Sequence, residues 1–339
     1  MSDEITEESP LMAPNEFDTL RHEINAASLD LLKAEPAEIK SIRTGAQNKR
    51  AGAGAQYYVT NWNTAHGMLR DWACFGLYPL LRLAESNDTD LKPSQLLEVW
   101  QATSFKYSAF LGYSGFATLH DFERRAHALC TAQPDRDHII PVLRELVRYA
   151  NLLTAWSHHY FPWGDVAGAR SSVAETADNL SAAVLAPSNA PAAQVTPDVE
   201  GPRVEITWEQ LDIRAEAVLA ASLNPELVAE FVSALPFTIL QEHAISIGES
   251  MYGWTPLVST APIHYTERIC DAPVGRLRFS QSTGQKFVIQ YGTTTEDLNA
   301  PVLGQILPEH CAGLTTVGES AWRNTLDRRE DIWMTIQLL

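Results

Sequence analysis

The residues best suited to chemistry lie in the last third of the sequence. In TILQEHAISIG (238–248) strand alternation puts Ile239, Gln241, His243, Ile245 and Ile247 on one face. Three of the five are isoleucine, so His243 and Gln241 are expected to point into the apolar interior of a barrel. A buried imidazole needs either a hydrogen-bond partner or a task. The next stretch, IGESMYGWTPL (247–257), sets Glu249, Tyr252 and Trp254 around Gly248 and Gly253. A polar, aromatic segment at a strand's end is where a barrel builds a ligand mouth. Glu249 is a candidate general base, given burial that raises its pKa. Tyr252 and Trp254 are candidate platforms for a flat substrate, or else an aromatic plug over the core.

Arg276 and Arg278 alternate with Leu277 and Phe279, and Lys286 follows the Gly284 turn with Val288 and Gln290. Two guanidinium forks and an ammonium suit a dicarboxylate. They equally suit a solvated outer face, and strand parity does not choose between the two. In HHYFPWG (158–164) adjacent histidines on a helix diverge, so core packing or a surface against the second domain is favoured over a ligand site. No HExxH, GxSxG or GxGxxG is present; GYSGF (112–116) misplaces its glycines, and the basic, Gly-rich RTGAQNKRAGAG (43–54) follows no strand. No metal site is expected, and a nicotinamide-dependent dehydrogenase is disfavoured.

These residues must be carried by a chain of 339 residues, long enough for two domains. Its 25 basic and 42 acidic residues give a net charge of −17, which excludes a general affinity for nucleic acid or an anionic membrane. The four cysteines are scattered and the N-terminus is acidic, so a cytoplasmic protein is expected. Residues 1–16 read as a solvated acidic tail. Residues 17–170 read as a helical bundle, with Ile139, Leu143, Leu146, Ala150, Leu153 and Trp156 as one packing stripe. Residues 171–200, rich in Ala and Pro without an aromatic residue or a Lys or Arg, read as a linker. Residues 201–339 alternate as short strands with two helices: strands at 203–208 and near 214–221, a helix after the Asn224 cap, strands in 238–248, HYTERIC (264–270), VGRLRFS and KFVIQYG, a helix over 318–328, and a closing strand. The fold class is therefore α+β, a helical bundle followed by a β-barrel.

The segments NPELVAEFVSALP (224–236), HAISIGESMYGWTPL (243–257), APVGRLRFSQSTGQKFVIQYG (272–292) and PVLGQI…LTTVG…W (301–322) resemble, in that order, the cyclophilin-like domain of cucumopine and mikimopine synthases. The helical half is similar to the bundle that accompanies that domain, although here it comes first. The resemblance implies a Pictet–Spengler condensation that uses no redox cofactor. Cucumopine synthases join histidine to 2-oxoglutarate, and relatives in kitasetaline-type β-carboline formation use tryptophan. It implies here L-tryptophan with 2-oxoglutarate, histidine being the close competitor, as in a bacterial natural-product pathway. On that footing His243 and Glu249 are expected to move protons. Arg276, Arg278 and Lys286 are expected to hold the dicarboxylate, and Tyr252, Trp254 and Tyr291, with Gln241 and Gln290 beside them, to form the slot for the ring. Other readings are a different enzyme on the same barrel, a lyase or hydrolase, and a non-catalytic small-molecule binding protein. The partners implied are small molecules, with a homodimer left open.

Overall fold

The structure, a computed structural model, describes residues 15–46, 62–88, 90–163, 199–328 and 330–339. The acidic tail to residue 14, most of the basic loop (47–54) and nearly all of the Ala/Pro-rich stretch (171–198) lie outside the described residues.

The helical half holds α1 (Glu16–Leu31), α2 (Ala37–Arg43), α3 (64–85), α4 (93–113), α5 (Ala117–Ala132) and α6 (Arg136–His159). Asp135 starts α6 by accepting from the Asp137 N–H at 3.0 Å. The stripe expected on α6 is buried throughout. From Tyr149 to His159 every residue is buried, because this end of α6 lies between the bundle and the barrel and is covered on all sides. Both α3 and α4 contain π-helical turns, at Thr64–Met68, Trp72–Leu77 and Gln101–Phe105. No described helix is long and apolar enough to cross a membrane.

The second half is an antiparallel sheet with β1 (Arg203–Trp208), β2 (Ile213–Leu219), β3 (Phe237–Leu240), β4 (Glu242–His243), β5 (Gly248–Trp254), β6 (Thr266–Arg268), β7 (Arg276–Ser280), β8 (Lys286–Thr294), β9 (Asn299–Ile306) and β10 (Trp333–Leu338). The order is β3-β10-β1-β2-β9-β7-β8-β5-β4, with β6 on β9. β3 and β4 are separated only by Gln241, so the chain passes from one end of this path to the other and the sheet nearly closes on itself. Two helices fill it, α7 (Pro225–Ala234) and α8 (Cys311–Arg323). Phe231 of α7 stacks on Phe287 with ring centroids 5.6 Å apart, and Leu314 and Val317 of α8 are buried in the same core as Met251, Leu277, Phe279 and Ile289. The interior is thus a packed core.

Four expectations change. The strand over 238–248 is broken: at Gln241, whose N–H bonds the Ile332 carbonyl at 2.8 Å, the chain passes from β3 to β4, and residues 244–247 leave the sheet. HYTERIC pairs only through Thr266–Arg268 before a tight turn at Ile269–Asp271. The helix expected over 318–328 begins at Cys311, its Thr-rich start held by Leu314 and Val317 against the barrel core. Asn224, expected to cap α7, instead ties the segment 264–265 to β9. Its side chain donates to the Tyr265 and Val302 carbonyls (3.0 and 2.7 Å) and accepts from the His264 and Tyr265 N–H groups (both 3.0 Å).

Candidate active site

The alternation of β5, β8 and β7 decides which side chains face inward. Met251, Phe287, Ile289, Leu277 and Phe279 enter the barrel core. The residues between them face outward in two cross-strand rows: Tyr252 beside Val288 beside Arg278, and Trp254 beside Lys286 beside Ser280. The helical half covers this outer face. Tyr78 Oη donates to the Ser259 carbonyl (3.0 Å), Arg82 Nη1 to the Thr260 carbonyl (3.0 Å) and Arg148 Nε to the Pro256 carbonyl (2.7 Å). Between the two surfaces lies a cavity of about 800 Å³. The helical half contributes His66, Arg70, Tyr78, Arg82, His158 and Trp163 to its wall; the barrel contributes the two rows and the loops at 244–247, 281–283 and 296–301.

One wall is aromatic. Tyr252 and Trp254 meet edge-on at 5.2 Å between centroids, and the His158 ring lies 5.8 Å from Tyr252, 5.3 Å from Trp254 and 5.2 Å from Trp163. Against it stand cations. Arg278 is almost fully buried; its Nη1 donates to Gln290 Oε1 at 2.6 Å. Burial lowers its pKa to about 10, so it stays charged at neutral pH. Lys286 Nζ stands 4.6 Å above the Tyr252 ring and 5.5 Å from the Trp254 ring. Burial, reinforced by Arg70 and opposed by Cys74 and Glu296, brings its pKa down to about 8. Among the described residues neither Arg278 nor Lys286 has a carboxylate within ion-pair distance. In a chain of net charge −17, two unpaired cations on one wall form a place for an anion.

The two histidines of the wall are neutral at pH 7. Burial lowers the His66 pKa to about 4, Arg70 and Lys286 adding to the effect. Burial, with His66, Lys286 and His159 nearby, holds His158 well below the usual value. His66 Nδ1 is buried and has no hydrogen-bond partner among the described residues. His158 Nε2 lies 3.4 Å from Tyr252 Oη. Behind the wall Glu242 joins the halves, its Oε1 2.7 Å from His159 Nδ1 and its Oε2 4.0 Å from His158 Nε2. Burial alone would lower the His159 pKa, but Glu242 and Asp331 outweigh it and raise it to about 9.

Of the residues singled out in the sequence, Tyr252, Trp254, Arg278 and Lys286 come together on the cavity wall. Gln290 stands behind Arg278, its Nε2 tied to the Ala272 and Gly292 carbonyls at 2.9 and 3.2 Å. Arg276 lies off the wall and pairs with Glu267 at 2.7 Å. His243 points to the barrel side of the sheet. Its Nδ1 donates to the Ala244 carbonyl (2.6 Å), its Nε2 accepts from Tyr291 Oη (2.7 Å), and its ring packs on Trp322. Gln241 accepts from Trp208 Nε1 at 2.9 Å and donates to the Glu242 and Tyr252 carbonyls. Glu249 is exposed and accepts from the Thr293 N–H at 2.6 Å. His243, Glu249, Gln241, Arg276 and Tyr291 are therefore not on the cavity wall.

His66, Arg70, His158 and Glu242 were not singled out as site residues. His66 and Arg70 are four apart on α3, a spacing that puts both on one helix face. Glu242 shares a cross-strand position with Tyr252, so it faces α6 while His243, opposite Met251, faces the core.

Residues 18–160 match the family described as the cucumopine synthase C-terminal helical bundle domain. The helical half is thus similar to that bundle, placed here ahead of the barrel. Arg203 at the start of β1 and Leu339 at the chain's end are hydrogen-bonded neighbours at 3.1 Å, so a bundle attached at either end of the barrel starts from the same place. Among solved structures, McbB in complex with tryptophan is 28% identical, with a TM-score of 0.37 over 40% of this chain and 44% of that one. A hypothetical protein from Archaeoglobus fulgidus, solved in solution, is 14% identical, with a TM-score of 0.31 over 43% of this chain and 100% of that one. No curated protein matches the sequence.

Proposed function

We propose that the chain is a condensing enzyme of the Pictet–Spengler type that joins L-tryptophan to 2-oxoglutarate, giving a tetrahydro-β-carboline dicarboxylate. The observation that carries this is the pairing, in one cavity, of an aromatic wall with two cations, Arg278 and Lys286, that have no carboxylate partner among the described residues. The helical bundle shared with cucumopine synthases supports the same class of reaction.

The reaction has no oxidation step. The amine attacks the keto carbon, water leaves, the ring attacks the resulting iminium, and a ring proton departs. Tyr252, Trp254 and Trp163 offer flat surface to the indole. Arg278, held by Gln290 at 2.6 Å and more loosely by Ser250 Oγ at 3.5 Å, offers its remaining N–H groups to a carboxylate. Neutral His66 and His158 are able to accept the protons released by the amine and by the ring. Holding both reactants on one wall contributes up to about 7–11 kcal/mol against the reaction in free solution. His243, Glu249 and Arg276 serve this scheme by holding the sheet rather than by touching substrate.

Mass spectrometry of the purified protein with 2-oxoglutarate and either L-tryptophan or L-histidine tests the proposal. The expected product has the summed mass less one water, resists borohydride and forms faster with tryptophan. Preference for histidine would assign a cucumopine-type substrate. No product above a boiled control with either amine would overturn the condensation.

A further inference from the structure

Lys286 stands apart from the other described lysines. Lys33, Lys40, Lys92 and Lys106 are exposed, whereas Lys286 is partly buried in the cavity wall. It makes no hydrogen bond or ion pair to a described residue and rests on the faces of Tyr252 and Trp254. Three arginines, Arg70, Arg82 and Arg278, already serve the cavity as permanent cations. An additional lysine among them differs in one chemical respect: it can lose its proton and become a nucleophile. With a pKa of about 8, about a quarter of Lys286 is neutral at pH 7.5, against about one part in a thousand for an ordinary lysine.

The sheet register fixes its relation to the anion site. Lys286 lies opposite Ser280 and Val288 opposite Arg278, so Arg278 and Lys286 are diagonal neighbours on one face. Diagonal positions on an antiparallel pair are roughly 7–8 Å apart, which suits a short acid whose carboxylate meets the guanidinium while its carbonyl meets the amine.

We propose that Lys286 is a covalent catalytic residue, its Nζ forming an iminium with the 2-oxo acid before the amino acid attacks. This rests on the condensation proposed above. The Nζ lone pair attacks the keto carbon, forming a C–N bond, and the carbonyl oxygen takes a proton to give a carbinolamine. A second proton on that oxygen lets it leave as water, and the nitrogen lone pair forms the iminium. The substrate amine then adds to the same carbon. A proton passes from the added amine to Nζ, and the bond to Nζ then breaks with its electron pair returning to nitrogen, which frees Lys286 as the neutral amine and leaves the substrate iminium ready for ring closure. Nothing is oxidised or reduced. The protons exchange with neutral His66, whose Nδ1 is unpartnered among the described residues, and with His158.

The test is reductive trapping without amino acid. The full-length protein is incubated with cyanoborohydride and, in turn, 2-oxoglutarate, pyruvate or oxaloacetate, then analysed by intact mass and peptide mapping. The expected result is a mass gain equal to the keto acid less one oxygen atom, mapped to Lys286. It should be absent from Lys286→Arg and Lys286→Met, while Lys286→Arg loses at least 100-fold in turnover at a similar melting temperature. An adduct without ring-closed product keeps the covalent amine and overturns the Pictet–Spengler assignment. Ring-closed product without an adduct, or an active Lys286→Arg, overturns the covalent amine and leaves that assignment standing. No adduct at Lys286 with any of the three acids also overturns it.

Discussion

Glu242 Oε1 lies 2.7 Å from His159 Nδ1, and both side chains are about 2% exposed. One comes from the barrel and the other from the end of α6, so this pair fastens the two walls of the cavity. Removing Glu242 leaves His159 with Asp331 alone, 3.1 Å from its Nε2, and removing His159 leaves Glu242 with only the 4.0 Å approach of His158, so each change should cost up to the about 3–5 kcal/mol of a broken buried pair. Glu242→Gln should therefore lower the urea midpoint markedly, and Glu242→Gln with His159→Gln should cost less than the two single changes added together. An additive double mutant would mean that the two residues do not act as a pair.

The same seam gives stability an unusual pH dependence. The His159 pKa is raised to about 9 in the folded protein, so its contribution is complete below about 6.5 and is lost as the pH rises through 9. His66 titrates in the opposite sense. With its folded pKa lowered to about 4, it favours the folded state when neutral, and that advantage disappears as the pH falls from about 6.5 toward 4. Stability measured against pH should peak near 6.5. His159→Gln should flatten the alkaline limb alone, and His66→Gln should flatten part of the acid limb alone. A profile unchanged in either variant would remove that histidine from the linkage.

The sequence carried the architecture further than the site. Period-two runs such as RVEITW and KFVIQYG and the three-and-four spacing on α6 report burial directly, so the bundle and the barrel were both legible. Tyr252, Trp254, Arg278 and Lys286 could be singled out because aromatic and basic residues stand out in an acidic chain. What alternation does not state is which side of a barrel is occupied. The interior is filled by Phe231, Phe279 and Phe287, so the cavity lies on the outer face beneath the helices. The alternation that puts Ile239 and His243 on the barrel side leaves the outward place opposite Tyr252 to Glu242. His66 and His158 join the wall only through contact between halves distant in sequence, which no local pattern encodes.

Gln290 fixes the Arg278 guanidinium through one 2.6 Å hydrogen bond. Gln290→Leu removes that acceptor and leaves a buried donor unsatisfied, at a cost of about 1–3 kcal/mol. Under the proposed function the KM for 2-oxoglutarate should rise about 10-fold while the KM for the amino acid stays within about twofold. Equal increases in both would mean that the variant disturbs the whole cavity and not the anion site.

His243 and His158 separate structural from catalytic histidines. Both ring nitrogens of His243 are engaged, one with Ala244 and one with Tyr291, away from the cavity. His243→Phe should lower the melting temperature, because Tyr291 Oη loses its acceptor, yet leave turnover per folded molecule within about threefold, well under the 10²-fold typical of a lost acid–base group. His158→Gln should reduce turnover about 100-fold by the same comparison. A large loss of turnover in folded His243→Phe would return His243 to the chemistry.

Gly284 ties the turn between β7 and β8 to the aromatic wall. Its φ is +115°, and a Cβ there would stand 2.8 Å from Trp254 Nε1 and 3.6 Å from Asn151 Oδ1. Gly284→Ala therefore brings backbone strain of about 1–3 kcal/mol and pushes the indole aside. Trp254 Nε1 has no hydrogen-bond partner among the described residues, so packing against Tyr252 and His158 holds the ring and no hydrogen bond opposes its displacement. The displaced ring also ceases to support Lys286, which lies 5.5 Å from it. The strain should appear as lost stability, and the displaced indole as a KM for tryptophan raised about 10-fold, the equivalent of about 1.4 kcal/mol of lost ring contact, together with a shifted tryptophan fluorescence maximum. Gly318→Ala serves as the contrast, because its Cβ would meet Tyr291 Cζ at 2.3 Å on the barrel side of the sheet. That variant should lose stability and keep the KM for tryptophan. If Gly284→Ala bound tryptophan normally, the aromatic wall would not be the seat of the indole.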